Sequence, residues 1–201
     1  GKSLFMCHVA SSVIAQGKNV LYITLEMAEE RIAERIDANL LDVTIDDLYE
    51  MPKDIYDTKT SKMQNRINCQ LIIKEYPTAA AHAGHFKSLM DELALKKSFK
   101  PDIVFIDYLN ICSSSRFKGG NISSYFYVKA IAEELRGLAV QYDVPIVSAT
   151  QTTRSGYLSS DVGLEDTSES FGLPATADFM FALISNDELE ELGQIKVKQL
   201  K

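Results

Sequence analysis

Cysteines are few in this sequence, and their arrangement excludes two common uses. The 201 residues contain only three: Cys7, Cys69 and Cys112. An odd and scattered set without a C-x-x-C pair is typical of a reducing cytosol and indicates no structural zinc site. Acidic or cysteine partners at metal-binding spacing are equally absent around the three histidines, which are His8, His82 and His85.

Long apolar runs and an excess of positive charge are also missing. No run approaches the ~20 apolar residues of a membrane span, and no signal-peptide pattern opens the chain. We therefore expect a cytoplasmic protein, in the host cytoplasm if the source is viral. The net charge of −7 argues against a domain that coats itself with DNA, although a few loops could still contact a strand. The chain does not start with Met, which fits a fragment of a longer protein.

The apolar residues that are present predict one α/β domain over residues 1–201. At 46% hydrophobic, the chain is long enough for one well-buried core. Strands are predicted at Val20–Ile23, Leu71–Ile73, Ile103–Ile106, Ile146–Val147 and Phe179–Ile184. Helical stripes separate them at Ile32 to Leu40, Phe86 to Leu93 and Val128 to Ala139. This alternation predicts a mainly parallel sheet with helices on both faces.

Three segments are less regular. Asp42 to Arg66 is polar and helical in pattern, but the pattern does not place it on the sheet. Ser113 to Ser124 and Thr152 to Gly163 are predicted to be mobile loops, because they combine polar residues with glycine.

The first residues resemble part of a phosphate-binding loop. Gly1-Lys2-Ser3 matches the last three residues of the Walker A motif, G-x-x-x-x-G-K-[ST], and an apolar-periodic helix follows. In that motif backbone N–H groups surround a phosphate, the Lys reaches the outer phosphates and the Ser hydroxyl binds Mg²⁺. The helix N-terminus adds the positive end of a dipole. Alternatively, the tripeptide is only a helix start that follows a linker.

Three polar residues follow predicted strands, where ligands of open α/β sheets gather. Asp107 ends an apolar strand in the Walker B pattern and would anchor Mg²⁺, or it caps the next turn. Glu26 precedes a helix and could orient the attacking water, or it only stabilises the helix's first turn. Gln151 could sense a γ-phosphate, or it is an ordinary polar strand end. We expect Glu26 and Asp107 to lie on the same edge of the sheet.

The order and spacing of these motifs resemble the hexameric replicative DNA helicases of the DnaB type. The likeness rests on Gly1-Lys2-Ser3, Leu25-Glu26-Met27, Ile106-Asp107-Tyr108-Leu109 and Ser148-Ala149-Thr150-Gln151. It extends over nearly the whole chain and is strongest to the branch from T-even-type bacteriophages. It implies a P-loop NTPase with a RecA-like fold, a homo-hexamer that moves 5′→3′ along single-stranded DNA, and ATP with Mg²⁺ as cofactors. Primase and a helicase loader are the implied partners.

The resemblance also implies roles for individual residues at the nucleotide. Gly1, Lys2 and Ser3 would bind phosphate and Asp107 would share Mg²⁺ with Ser3. Glu26 would be the catalytic carboxylate and Gln151 the coupling amide. Arg35 matches an arginine that reaches the nucleotide, although it could be a helix-face arginine paired with Glu34 or a neighbour of Asp37.

Further positions concern the DNA channel and the subunit boundary. Arg116 and Lys118 would face the centre of the ring, as would Glu169, Ser170, Phe171 and Gly172. Ser168 and Phe171 depart from the R-E-S-G pattern of bacterial relatives, which weakens the expected basic contact. Lys201 matches a lysine that precedes the arginine finger by two residues, or it is a solvated strand lysine. Because both ends of the site would be cut, we expect the 201-residue chain alone to be inactive and not to form a ring.

Two other functions share parts of this pattern. A RecA-like recombinase or related ring ATPase would use the same Lys2, Ser3, Glu26 and Asp107. The Asp107-Tyr108-Leu109 and Thr150-Gln151 continuations favour the helicase. A ring subunit without nucleotide turnover is the other alternative, and the retained Lys2, Glu26 and Asp107 argue against it.

Overall fold

A parallel sheet lies between two layers of helices in the part of the chain that the structure describes. This computed structural model describes residues 1–117, 122–152, 163–164 and 172–201. The helices are α1 (Lys2–Ala15), α2 (Glu29–Leu41), α3 (Ile45–Glu50), α4 (Lys53–Gln64), α5 (Ala83–Lys97), α6 (Ser124–Tyr142), α7 (Gly172–Thr176) and α8 (Asp187–Glu191). The strands are β1 (Val20–Thr24), β2 (Leu71–Glu75), β3 (Ile103–Asp107), β4 (Ile146–Ser148), β5 (Phe181–Ile184) and β6 (Lys196–Gln199).

The four strands of the main sheet run parallel in the order β2-β1-β3-β4. Strand β1 lies inside the sheet, where Val20 pairs with Leu71 on one side and with Ile103 on the other. All five residues of β1 are buried, as expected for a parallel strand covered on both faces. This confirms four of the predicted strands and the predicted α/β class.

Side chains of β1 and β3 alternate between two hydrophobic cores. Leu21, Ile23, Val104 and Ile106 pack with residues of α5 and α6. On the opposite face, Val20, Tyr22 and Phe105 pack with residues of α1 and α2. The period of two along a strand thus distributes one apolar run over both helix layers.

The last predicted strand differs from the prediction. Strand β5 begins at Phe181 and pairs antiparallel with β6 in a separate two-stranded sheet, with Phe181 opposite Gln199. A short helix, α8, reverses the chain between them, and Asn186 caps it by accepting a hydrogen bond from the Leu189 amide at 2.8 Å. An apolar run alone does not specify which neighbour a strand will pair with, so the sequence pattern missed this arrangement.

The segment Asp42 to Arg66 forms two helices outside the sheet. Thr44 and Asp47 cap the start of α3 with a reciprocal capping box. Helix α4 is tied to α2 by the Tyr56 hydroxyl, which donates to Asp37 at 2.6 Å. Neither α3 nor α4 has a fully buried residue, which agrees with the polar sequence.

One of the three histidines caps a helix, and the two predicted loops are described only in part. His82 caps α5 by accepting a hydrogen bond from the Gly84 amide at 3.0 Å, so one of the histidines has a structural use. Parts of the two predicted loops lie outside the described residues, and α6 begins at Ser124. In the described ranges, no helix has the length and apolar character needed to cross a membrane.

We predict that Phe86→Ala strongly destabilises the fold. Phe86 is fully buried against the sheet and meets Tyr76 edge-on, with ring centroids 5.7 Å apart. Truncation of such a ring leaves a cavity, and we expect a loss of about 3–5 kcal/mol in chemical denaturation. Leu95→Ala is the control on the same helix, because Leu95 is 86% exposed. Equal losses for the two variants would contradict this assignment of the core.

Candidate nucleotide site

The pairing of β1 with β3 places two predicted site residues at one edge of the sheet. Thr24 at the end of β1 pairs with Asp107 at the end of β3. The next amide, that of Leu25, donates to the Asp107 carbonyl at 2.8 Å. Glu26 therefore follows two residues beyond Thr24, the residue level with Asp107, and both acids lie on the same edge, as expected from the sequence.

A tight turn holds Glu26 in front of α2. The Thr24 hydroxyl donates to the Met27 carbonyl at 2.8 Å and accepts from the Met27 amide at 3.1 Å. Thr78 adds a hydrogen bond to the Leu25 carbonyl at 2.7 Å. Glu26 is exposed in this turn and precedes α2, whose first-turn acids are Glu29 and Glu30. The carboxylate of Glu26 thus faces solvent from an anchored turn rather than from a helix.

Asp107 is buried and has one carboxylate oxygen in use. Its Oδ2 accepts a hydrogen bond from the Tyr22 hydroxyl at 3.0 Å, and the residue is 0% exposed. Its Oδ1 is also buried but has no hydrogen-bond partner among the described residues. Burial raises the pKa of Tyr22, and the Asp107 charge raises it further, so this hydroxyl stays protonated and donates. The carboxylate does not cap the turn that follows it.

Tyr108 joins the predicted residues into one cluster. The Lys2 ammonium lies 4.9 Å from the centre of its ring, and the Gln151 side-chain amide donates to its hydroxyl at 3.2 Å. Burial raises the pKa of Tyr108, and the neighbouring charges of Glu26 and Asp107 raise it further. Sequence reasoning noted Tyr108 only as part of a family motif. Its position directly after Asp107 was the available signal.

Hydrogen bonds between the segment that follows β3 and the segment that follows β4 place Gln151 at this edge. The Leu109 amide donates to the Ala149 carbonyl at 3.1 Å, and the Thr150 hydroxyl donates to the Asn110 side chain at 2.8 Å. These bonds fix the residues on either side of the contact between Gln151 and Tyr108. The structure therefore brings Lys2, Glu26, Asp107 and Gln151 together.

The start of α1 contributes backbone donors at the same place. Gly1 is its N-terminal cap, and its carbonyl accepts from the Phe5 amide at 3.0 Å. The first N–H groups of a helix, here those of Lys2 and Ser3, have no acceptor within the helix. With the helix dipole they favour an anion, which is the chemistry expected for a phosphate site.

Arg35 lies beside the site on α2, next to α1. It lines a cavity of about 330 Å³ with Met27, Arg31, Glu34, Ile45 and Tyr49. Glu34 is paired with Arg31 at 2.9 Å, and among the described residues Arg35 has no ion pair. Burial raises the pKa of Cys7 on α1, while the Tyr22 hydrogen bond and the Arg35 charge act in the opposite direction. The charge of Arg35 thus lies within electrostatic range of Cys7 on α1.

The segment that carries Arg116 is anchored at its beginning by α6. Glu134 accepts hydrogen bonds from the Ser114 hydroxyl at 2.6 Å and from the Ser115 amide at 2.9 Å. The Arg116 guanidinium pairs with Glu133 at 2.6 Å, although both side chains are partly exposed. Arg116 is therefore engaged within its own chain. Lys118 lies outside the described residues.

Of the remaining predicted residues, the structure describes Gly172 and Lys201. Gly172 is buried at the first residue of α7, where its carbonyl accepts from the Thr176 hydroxyl at 2.8 Å. The Lys201 ammonium donates to the Pro174 and Ala177 carbonyls, both at 2.8 Å. These contacts cap the end of α7 and lie within this chain. Glu169, Ser170 and Phe171 lie outside the described residues.

Comparison with known families identifies the family to which this chain belongs. The model of the DnaB-like helicase C terminal domain matches residues 1–197. The chain belongs to this family. It is 48% identical over 204 residues to the "DnaB-like replicative helicase" of Enterobacteria phage T4, covering all of this chain and 43% of that protein. It is 30% identical over 158 residues to a "Probable plasmid replicative DNA helicase" of Chlamydia psittaci, covering 77% of this chain and 33% of that protein. The chain thus spans less than half of these relatives.

Solved structures agree on the fold. One that is described as an "ATPase Domain" superposes with a TM-score of 0.76 at 20% identity, over 99% of this chain and 72% of that one. A structure described as "A DnaB-Like Replicative Helicase And Its Interactions With Primase" gives 0.72 at 21% identity, over 94% of this chain and 45% of that one. The parallel sheet with its two helix layers therefore has the same fold as these structures, the RecA-like P-loop fold.

We predict that Glu134→Gln destabilises the protein at neutral pH. Burial raises the pKa of Glu134, but hydrogen bonds from Ser114, Ser115 and the Arg116 amide outweigh it and bring the pKa below its usual value. Loss of the charge should cost about 1–2 kcal/mol in chemical denaturation. Because the folded pKa is the lower one, the stabilisation is complete above the ordinary value of about 4.3 and is lost as pH falls through the folded value.

The neighbouring Glu133→Gln is the matched control for that measurement. Its ion pair with Arg116 is exposed, and such pairs contribute little to stability. We expect a smaller change with Glu133→Gln. A Glu134→Gln effect that stays constant down to acid pH would show that the carboxylate's charge is not its cause.

Proposed function

We propose that this chain is the ATP-driven motor domain of a replicative DNA helicase that moves 5′→3′ along single-stranded DNA. The observation that carries the proposal is the cluster around Tyr108, where Lys2, Glu26, Asp107 and Gln151 meet at the carboxyl edge of the sheet. A cation, two carboxylates and an amide at the end of parallel strands are the groups that phosphoryl transfer to water requires. The family membership supports the same conclusion.

The residues present fit Mg²⁺ together with ATP. A hard divalent cation prefers oxygen ligands and keeps several of its waters, and the unpaired Oδ1 of Asp107 is an acceptor that such a water could satisfy. Asp107 and the Ser3 hydroxyl would hold the ion, which neutralises phosphate charge when bound. Gly1 and the α1 amides would bind phosphate, and Lys2 would leave the Tyr108 ring to reach the outer phosphates.

The remaining residues would govern the attack of water and its coupling to movement. Glu26, exposed in its anchored turn, would orient the water and accept its proton. Gln151 would report the state of the γ-phosphate, because it already contacts Tyr108 and lies in the segment that follows β4. Arg35 would approach the nucleotide from α2. Lys201 would act at the boundary with a neighbouring subunit.

We further propose that the full-length protein works as a homo-hexamer with primase and a helicase loader as partners. One solved structure with this fold is described together with its interactions with primase. Arg116 and Lys118 would contact phosphates of the strand through their side chains, since a helicase must tolerate any base sequence. The segment Glu169, Ser170, Phe171 and Gly172 would contact phosphates through its backbone N–H groups.

We predict that Glu26→Gln in the full-length protein spares ATP binding and slows hydrolysis. The amide keeps the shape of the side chain but cannot accept a proton. Steady-state turnover and nucleotide binding measure the two effects separately. Glu30→Gln, on the neighbouring first turn of α2, is the matched control and should turn over ATP at the parental rate. Parental turnover with Glu26→Gln would reduce Glu26 to an ordinary turn residue.

In the same assay we predict that Lys2→Ala abolishes turnover by weakening nucleotide binding. The substitution removes the cation that steadies the outer phosphates, whereas Glu26→Gln does not. The two variants should therefore separate in the binding measurement. Equal nucleotide affinity for Lys2→Ala and the parent would show that Lys2 does not reach the phosphates.

We predict that replacing both Arg116 and Lys118 with Ala lowers the salt dependence of single-strand binding by the assembled ring. Each lost phosphate contact lowers the slope of log K against log salt by about 0.7, so two contacts give about 1.4. Arg116 must first leave the Glu133 carboxylate in order to bind a phosphate. Carboxylates and phosphates are similar acceptors for a guanidinium. Replacement of both Lys96 and Lys97 on α5 is the control and should leave the slope unchanged. An unchanged slope in the test variant would locate the DNA contacts in other segments.

A further inference from the structure

Tyr22 contacts the Asp107 carboxylate from inside the sheet. Its hydroxyl donates to Oδ2 at 3.0 Å, and both residues are 0% exposed. Among the described residues no other side chain or amide donates to this carboxylate, and Oδ1 is left without a partner. The orientation of the acid therefore depends on a single hydrogen bond from a buried donor.

The position of the hydroxyl is itself fixed by packing. Tyr22 lies in the interior strand β1, opposite Phe105 of β3 in the strand register. The two rings stack with centroids 5.6 Å apart and planes inclined by 15°. A buried ring in such a stack has little freedom to rotate, so the hydroxyl presents its proton in one direction.

The same hydroxyl also contacts the helix that begins in the phosphate loop. The Cys7 thiol on α1 approaches the Tyr22 oxygen at 3.9 Å. Cys7 follows Ser3 by four residues, which places the two side chains on one face of α1, one turn apart. Tyr22 thus touches both elements that would carry the metal ligands, α1 through Cys7 and β3 through Asp107.

We propose that Tyr22 is a positioning residue for the metal site: its hydroxyl holds Oδ2 of Asp107 and leaves Oδ1 as the oxygen that serves Mg²⁺. Hydrogen bonds to a metal-binding carboxylate orient it, and their loss typically weakens metal binding about 10–100-fold. The inference rests on the proposed ATPase function, because Asp107 must first be a metal-site acid. Tyr22 does not touch the nucleotide and acts only through Asp107.

The test is Tyr22→Phe in the full-length protein, with Mn²⁺ as the probe. Electron paramagnetic resonance titration, with a non-hydrolysable ATP analogue at saturation, measures Mn²⁺ binding without turnover. Phe keeps the stack on Phe105 and removes only the hydroxyl. We expect Mn²⁺ to bind about 10-fold more weakly. We also expect ATP turnover to need correspondingly more Mg²⁺ for half-saturation while recovering when Mg²⁺ is saturating.

Tyr56→Phe is the matched control, since the Tyr56 hydroxyl also donates to an aspartate, Asp37, at 2.6 Å. It should bind Mn²⁺ like the parent. A similar weakening in Tyr56→Phe would make the Tyr22 result a general effect of hydroxyl loss and would overturn the inference. A Tyr22→Phe protein that does not fold would also overturn it, because the bond would then serve the fold rather than the metal site.

Asp107→Asn separates failure of the inference from failure of the proposed function. If Asp107→Asn loses Mn²⁺ and Tyr22→Phe retains parental binding, Asp107 is a metal-site acid and the positioning role of Tyr22 is wrong. If Asp107→Asn binds Mn²⁺ like the parent, the metal site itself has been assigned wrongly and the inference falls with it.

Discussion

The parallel pairing of β1 with β3 is the constraint on which the candidate site depends. It sets Thr24 beside Asp107, so the turn that follows β1 emerges next to the acid that ends β3. A slip of β1 by one residue would turn Tyr22 away from the face that carries Phe105 and break the contact between Tyr22 and Asp107. Since each face is filled by its own helix layer, the hydrophobic cores hold this register. Packing far from solvent thereby determines the relative position of Glu26 and Asp107.

Burial of the Asp107 carboxylate opposes the stability of the fold. A fully buried carboxylate with one unpaired oxygen destabilises a fold unless a partner arrives. The Tyr22 hydroxyl satisfies Oδ2, and Oδ1 has no hydrogen-bond partner among the described residues. Under the proposed function, binding of a cation would remove this destabilisation. Such strain at a functional residue is a recurrent exception to rules of polar satisfaction.

The sequence reveals the strand ends more readily than the contacts between them. Apolar runs predict β1 and β3, and the polar residue that closes each run identifies Glu26 and Asp107 as candidates. Tyr22 escapes this reasoning, because an aromatic residue inside an apolar strand has the pattern of ordinary core. The antiparallel pairing of β5 with β6 also escapes it, since pairing is decided by a neighbour distant in sequence. The bonds that Glu134 accepts from Ser114 and Ser115 span about twenty residues and leave no periodic signal.

The candidate site residues fall into a buried group, which packing holds in place, and an exposed group. Asp107 and Tyr22 sit in the core, where close packing permits one arrangement. Glu26 and Gln151 are exposed at the ends of anchored segments, and Arg116 is held by an ion pair that water can weaken. The proposed motor would need a fixed point for the nucleotide and elements that change partners as the nucleotide changes. Gln151 connects the exposed group to the buried group, because its side-chain amide donates a hydrogen bond to Tyr108, the residue that directly follows Asp107. Under the proposed function, a phosphate that draws Lys2 away from the Tyr108 ring would change the surroundings of the hydroxyl to which Gln151 donates. Under the proposed function, nucleotide binding would therefore be transmitted through changes at the surface of the site, while Asp107 stays where the sheet holds it.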